Sequence, residues 1–198
     1  MLHDLHNVQA TFQQLDMAAF QAMVQAICQC QGRIYVVAGE NSSPVAMYLT
    51  THLNICRPGV ADLGSRAPFP VDRLLWVAPE DVLIAYSIRR YAQDTLQAAR
   101  HFRECGATVL GICDSMAAPL VRHAQHSLLV STHNASPFDS YTATFALCNA
   151  LVSAVAQQLK DDVSQSLQKR DSLWARLQAQ AGAAAGPSPR RSARSKGK

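Results

Sequence analysis

Two short polar stretches carry residue types and spacings suited to holding an anion. Ser42-Ser43-Pro44 follows one apolar run, and Ser87-Ile88-Arg89-Arg90-Tyr91 follows another. Serine hydroxyls and the free backbone N–H groups of a helix start donate to phosphate or carboxylate oxygens, and an arginine fork grips such a group through two parallel bonds. Asp114-Ser115 closes a third apolar run and is a further candidate. Each residue also has a structural reading. Ser or Asp before a helix is a common cap, so Ser42, Ser43, Ser87 and Asp114 taken singly would only start helices. Arg89 and Arg90 are adjacent and diverge, so one of them would face solvent or pair with Asp94 or Glu80 while the other meets the anion. Convergence of the stretches in one place is what would make a site.

The elements that must produce that convergence are legible as alternating runs. Arg33-Ile-Tyr-Val-Val-Ala38 is apolar and β-branched, and residues 81–87, 107–112 and 127–130 repeat the pattern. Short apolar runs bounded by polar loops read as buried strands. Between them lie helical spacings. Phe12, Leu15, Ala19, Met23, Ile27 and Cys30 fall three to four apart, with Asp16 placed to cap a second helix start. Ser43-Pro44 opens a helix through Val45, Tyr48, Leu49 and Leu53; Leu96, Ala99 and Phe102 mark another, and Pro119 begins a further helix-compatible segment. Residues 54–77, punctuated by Pro58, Gly59, Gly64, Pro68 and Pro70, read as a short strand, a loop and a short helix. Strands alternating with helices predict right-handed crossovers and a three-layer α/β/α sandwich around a five-stranded parallel, flavodoxin-like sheet. In that order the first and third strands are neighbours where the winding reverses, and both serine loops open on one crevice.

Charge and composition narrow the function classes. Formal net charge is +4, but Arg190, Arg191, Arg194, Lys196 and Lys198 are concentrated at the C-terminus with no acid beside them, which leaves the rest of the chain close to neutral. A folded body without a basic surplus is a poor nucleic-acid surface. The six cysteines lie mostly in apolar runs without paired metal spacing, and Cys28 and Cys30, two apart on a helix, face different sides; reduced core thiols and no metal or other cofactor are expected. His3, Asp4 and His6 break any apolar leader, so a cytoplasmic protein is expected. Tyr141 to Leu159 carries no charge, but its Thr, Asn, Ser and Gln residues point to a helix buried in protein and not to a membrane span. The resulting division is a helical lead-in over 1–31, a core domain over 32–160, a C-terminal helix over 161–178 and a disordered basic tail over 179–198.

The ordered set of motifs resembles a known family. Ile34-Tyr-Val-Val with Ser42 beyond it, Ser87-Ile-Arg-Arg-Tyr91 with Thr95, Gly106-Ala107, Cys113-Asp-Ser115 with Pro119-Leu120, and Phe138-Asp-Ser140 are similar to sugar isomerase (SIS) domains, closest to the effector domain of RpiR/MurR-type transcriptional regulators. The resemblance spans about residues 10–175. It implies the five-stranded fold, usual dimerisation, and binding of a phosphosugar or related small anion through Ser42, Ser43, Ser87, Arg89, Arg90, Tyr91, Thr95, Asp114, Ser115 and Ser140, with no catalytic residue assigned. Two departures stand out: Ala38 and Glu40 replace loop glycines of the family, and Arg89 and Arg90 replace a serine and a glycine. About thirty residues precede the first strand, too few for the regulators' helix-turn-helix, so DNA contact is expected only through a domain absent from this chain. The alternative is a sugar-phosphate aldose–ketose isomerase, which would need a general base, for which Glu40, His133 and Asp139 are the candidates.

Overall fold

In the computed structural model, residues 2–64 and 71–184 are described, with side chains to residue 180. The helices are α1 (Leu2–Gln13), α2 (Met17–Gln29), α3 (Ser43–Cys56), α4 (Gln93–Glu104), α5 (Thr142–Gln158) and α6 (Lys160–Ala184). The strands are β1 (Ile34–Val37), β2 (Val60–Asp62), β3 (Val82–Ser87), β4 (Thr108–Cys113) and β5 (His126–Leu129). All pairings are parallel in the order β2-β1-β3-β4-β5, so β1 and β3 adjoin at the reversal as expected. Ile34 is level with Val82 and Val37 with Ala85, which brings the loops after these two strands side by side.

The core has two layers because successive strand side chains point to opposite faces. Ile34, Val36, Val82, Ile84, Tyr86, Leu110 and Ile112 pack toward α2, α3 and α5. Tyr35, Val37, Leu83, Ala85 and Val109 pack toward α4, where Phe102 meets the Tyr35 ring edge-on at 5.1 Å between centroids. The uncharged helix α5 lies against α1, α2 and α3 and buries Leu147, Cys148, Leu151 and Val155. Among the described residues no helix is long and apolar enough to cross a membrane. Asp16 caps α2 as its position implied, accepting from the backbone N–H groups of Ala18 and Ala19 at 2.9 and 3.1 Å.

Three expectations need correction. The Pro119 segment is a single 3-10 turn, Pro119–Arg122, too short for a crossover helix. The final helix runs past residue 178 to Ala184, because Ala and Gln are good helix formers; the remaining tail, 185–198, and the loop with Pro68 and Pro70 lie outside the described residues. The lead-in is not held by an apolar stripe throughout. In α1 the buried residues are Asn7 and Thr11, while Leu2 is 80% and Leu5 63% exposed and Phe12 also faces out.

Candidate functional site

The site is built at the carboxyl ends of β1, β3 and β4. After β1 the chain makes a 3-10 turn, Glu40–Ser42, and enters α3 directly. Neither serine caps α3 through its side chain. Ser42 is buried and its Oγ shares a hydrogen bond with the Tyr141 hydroxyl at 3.2 Å; Ser43 Oγ donates back to the Glu40 carbonyl at 2.9 Å. The capping reading of these two residues therefore fails, since each hydroxyl has another partner. Gly39 sits where a Cβ would come 3.0 Å from the Ala92 Cβ, so the β1 loop and the approach to α4 are in close contact.

Ser87 ends β3 with 2% exposure, and its Oγ is buried without a hydrogen-bond partner. Thr95, in the first turn of α4, is 1% exposed and its Oγ1 is likewise unpartnered. Between them the two arginines divide as adjacency implied. The Arg89 N–H donates to Asp114 Oδ2 at 3.0 Å, and its guanidinium reaches across the crevice to Asp139, Nε to Oδ1 at 3.1 Å, and to the Pro137 carbonyl at 3.3 Å. Arg90 is exposed and diverges from Arg89, with φ +69°, and among the described residues it is the one non-glycine with a positive φ. A side chain there is strained, and this is the position where the resembling family has glycine. Arg90→Gly is expected to raise stability in urea unfolding by about 0.5–1 kcal/mol, strain relief exceeding the added freedom of the unfolded chain; Arg90→Val is expected to lower it.

The remaining predicted residues separate. Tyr91 is half-buried; burial and then the neighbouring Asp114 carboxylate push its phenol up. Tyr141 is raised by burial too, with the Ser42 bond acting the other way. Both phenols stay protonated and can donate. Cys113, beside Asp114, is pushed up to about 12 by burial and that carboxylate, which rules it out as a nucleophile near neutral pH. Ser115 and Ser140 are not brought to the crevice by their hydroxyls. Ser115 Oγ accepts from the Ala117 N–H in a local turn, and Ser140 Oγ donates to Asp4 of α1 at 2.7 Å.

Two cavities open on the crevice and share Phe138 and Asp139. One, of ≈ 310 Å³, is lined by Arg89, Asp114, Thr132, His133, Asn134 and Asp139; the other, of ≈ 260 Å³, by Asn41, Arg90, Pro137, Phe138, Asp139 and Tyr141. Tyr141, Asn134 and Asn41 were not singled out in the sequence. Tyr141 stood at the head of an uncharged helix with no motif to mark it, and its bond to Ser42 joins residues 99 apart. Among the described residues no three His, Cys, Asp or Glu side chains cluster so as to hold a metal ion.

Comparison with known proteins fits this geometry. The SIS domain model matches residues 27–154, well over half of the chain. The chain belongs to the SIS-domain family. Of solved SIS-like structures, the sugar isomerase domain of an RpiR transcription factor from Sphaerobacter thermophilus is 27% identical, with a TM-score of 0.80 over 85% of this chain and 94% of that one. Two more distant structures share the fold. The Vibrio vulnificus NanR protein complexed with ManNAc-6P is 16% identical, TM-score 0.69, over 87% of this chain and 67% of that one. A Methanococcus jannaschii protein with an inferred 3-hexulose-6-phosphate isomerase function is 12% identical, TM-score 0.63, over 82% and 94%. No curated protein sequence matches the chain. Arg89 and Arg90 thus stand within a SIS domain, in the loop after β3.

Proposed function

We propose that this SIS domain binds a phosphorylated sugar at the crevice between the β1 and β3 loops and serves as the effector-sensing part of an RpiR-type regulator. The observation that carries the reading is the pair of buried, unpartnered hydroxyls of Ser87 and Thr95 at either end of a loop that also presents Arg90. A buried polar group without a partner costs about 1–3 kcal/mol, and a ligand oxygen that completes it removes that cost. The helix starts of α3 and α4 add positive dipole ends beside it. The adjoining cavities, ≈ 310 and ≈ 260 Å³ and lined by Arg89 and Arg90 but not by Ser87 or Thr95, lie at and just below the lower end of the ~300–1,000 Å³ of ligand clefts, a size for a small monosaccharide derivative. The likeness to an RpiR sugar isomerase domain and to a NanR structure holding ManNAc-6P supports the same ligand class.

The test is thermal unfolding against a panel of sugar phosphates. A ligand at 100 times its Kd adds about 2.7 kcal/mol, roughly 5–10 °C in a domain of this size. Wild type is expected to shift with at least one sugar phosphate, and Ser87→Ala and Arg89→Ala to shift less; no shift with any of them would overturn the reading. An isomerase is the second reading, favoured by His133 on the wall of the larger cavity. Turnover of a sugar phosphate that disappears in folded His133→Ala would replace sensing by catalysis. A second copy of the chain is the partner we assign to the exposed Leu173, Trp174 and Leu177 of α6, and sedimentation as a dimer is the check.

A further inference from the structure

Helix α1 is inverted relative to an ordinary surface helix. Its polar residues at 4, 7 and 11 lie on one face and point into the protein, and its leucines point out. Beside its packing along α5, the inward face puts its polar side chains to one use: they fasten the loop between β5 and α5. Thr11 Oγ1 accepts from the Ser131 N–H at 2.9 Å, and Asn7 Nδ2 donates to the His133 carbonyl at 2.7 Å. Asp4 Oδ1 accepts from Ser140 Oγ at 2.7 Å and from Thr142 Oγ1 at 3.3 Å. These ties hold both ends of residues 131–142. The middle of the same loop is held from the crevice side, where Arg89 binds Asp139 and the Pro137 carbonyl. One short loop therefore connects Arg89 at the proposed anion site to a helix more than seventy-five residues away in sequence.

We propose that Arg89 is a latch whose partner depends on crevice occupancy, and that its release from Asp139 loosens α1. The inference rests on the reading that the crevice takes a phosphate ester. Such a group carries a charge of about −1.5 to −2 and competes with a single carboxylate for the guanidinium. Asp139, left beside the anion without its cation, is repelled, and the loop it belongs to moves with it. Because α1 buries only Asn7 and Thr11 and is otherwise held by its packing along α5, the loop bonds carry a substantial share of its order, and disturbing them shifts its local opening equilibrium. Arg89, which stands where the family has serine, thus converts binding into a change at the N-terminal helix.

The experiment is amide hydrogen exchange on the full chain, comparing wild type, Asp139→Asn and, as a control for loss of an exposed ion pair, Asp171→Asn on α6. Without added anion, Asp139→Asn is expected to raise exchange across residues 2–13 about threefold, the size a partly exposed ion pair supports, while 17–29 stay unchanged and Asp171→Asn matches wild type. Adding millimolar inorganic phosphate or glucose 6-phosphate to wild type is expected to slow exchange over 87–92 and speed it over 2–13; in Asp139→Asn the first change persists and the second is absent. The latch is overturned if Asp139→Asn leaves 2–13 as protected as in wild type, or if anion protects 87–92 with no effect on 2–13. If neither anion protects 87–92, the binding reading loses its support, and the anion-free comparison of Asp139→Asn with wild type still decides whether Arg89 and Asp139 hold α1.

Discussion

Asp81→Ala is expected to cost about 3–5 kcal/mol in urea unfolding, a third or more of the stability of an ordinary domain. Asp81 precedes β3 and is buried. Its Oδ1 accepts from the Arg33 N–H at 2.7 Å and its Oδ2 from the Ala78 N–H at 2.9 Å, which joins the entry of β1 to the turn before β3. Gly32 belongs to the same junction. Its N–H donates to the Glu80 carbonyl at 3.1 Å, and a Cβ on it would come 2.2 Å from Asp81 Oδ1, so the two segments meet too closely for any other residue. Alanine at 81 leaves two buried N–H groups without acceptors, each carrying a desolvation penalty of about 1–3 kcal/mol. Asn keeps one acceptor in place and is expected to recover about half of the loss. The consequence reaches the site, because the pairing of Ile34 with Val82 sets the alignment of the Ser42 and Ser87 loops at the other end of the same strands. A loss below about 1 kcal/mol for Asp81→Ala would show that water replaces the carboxylate and that the junction is not what aligns the strands.

The strands were legible because burial on both faces leaves continuous apolar runs such as Val82 to Tyr86, and alternation with helices leaves few sheet orders to choose from. The site was legible only as far as local sequence carries it. That Ser87 and Ser42 end neighbouring strands follows from the order of elements. That Ser42 spends its hydroxyl on Tyr141, or Ser140 on Asp4, depends on contacts across 99 and 136 residues, and no spacing rule reaches that far. Helix α1 shows the same limit in another form. Leu5 and Phe12 lie at helical spacing, but the surface α1 meets is a loop rich in backbone donors and acceptors, so Asn7 and Thr11 turn inward to satisfy it. The adjacency of Arg89 and Arg90 implied divergence without saying which one turns inward. In the structure both side chains are exposed and they do diverge: Arg89 pairs with Asp139, and Arg90, in a left-handed turn, lines the neighbouring cavity with Asn41 and Tyr141.

Thr95→Val is expected to move stability and binding in opposite directions. Valine keeps the shape and helix propensity of threonine and removes a hydroxyl that is 1% exposed and has no acceptor, so the ligand-free protein is expected to gain about 1 kcal/mol. Threonine in a helix ordinarily bonds a carbonyl one turn back, as Thr50 does to Ala46 and Thr51 to Met47 at 2.9 and 2.8 Å; Thr95 does not. If the hydroxyl is held for a phosphate oxygen, its loss removes a hydrogen bond to a charged group, about 1.5–3 kcal/mol, and affinity falls about ten- to a hundredfold. Ser87→Ala removes the companion hydroxyl at the other end of the loop and is expected to behave alike. The two are coupled through one anion, so the double variant should lose less affinity than the product of the single losses. Titration calorimetry with the sugar phosphate that shifts wild type, beside urea unfolding of the ligand-free variants, reads both axes. A protein that is less stable with valine, and binds as wild type does, would make Thr95 a structural residue and move the anion site away from the first turn of α4.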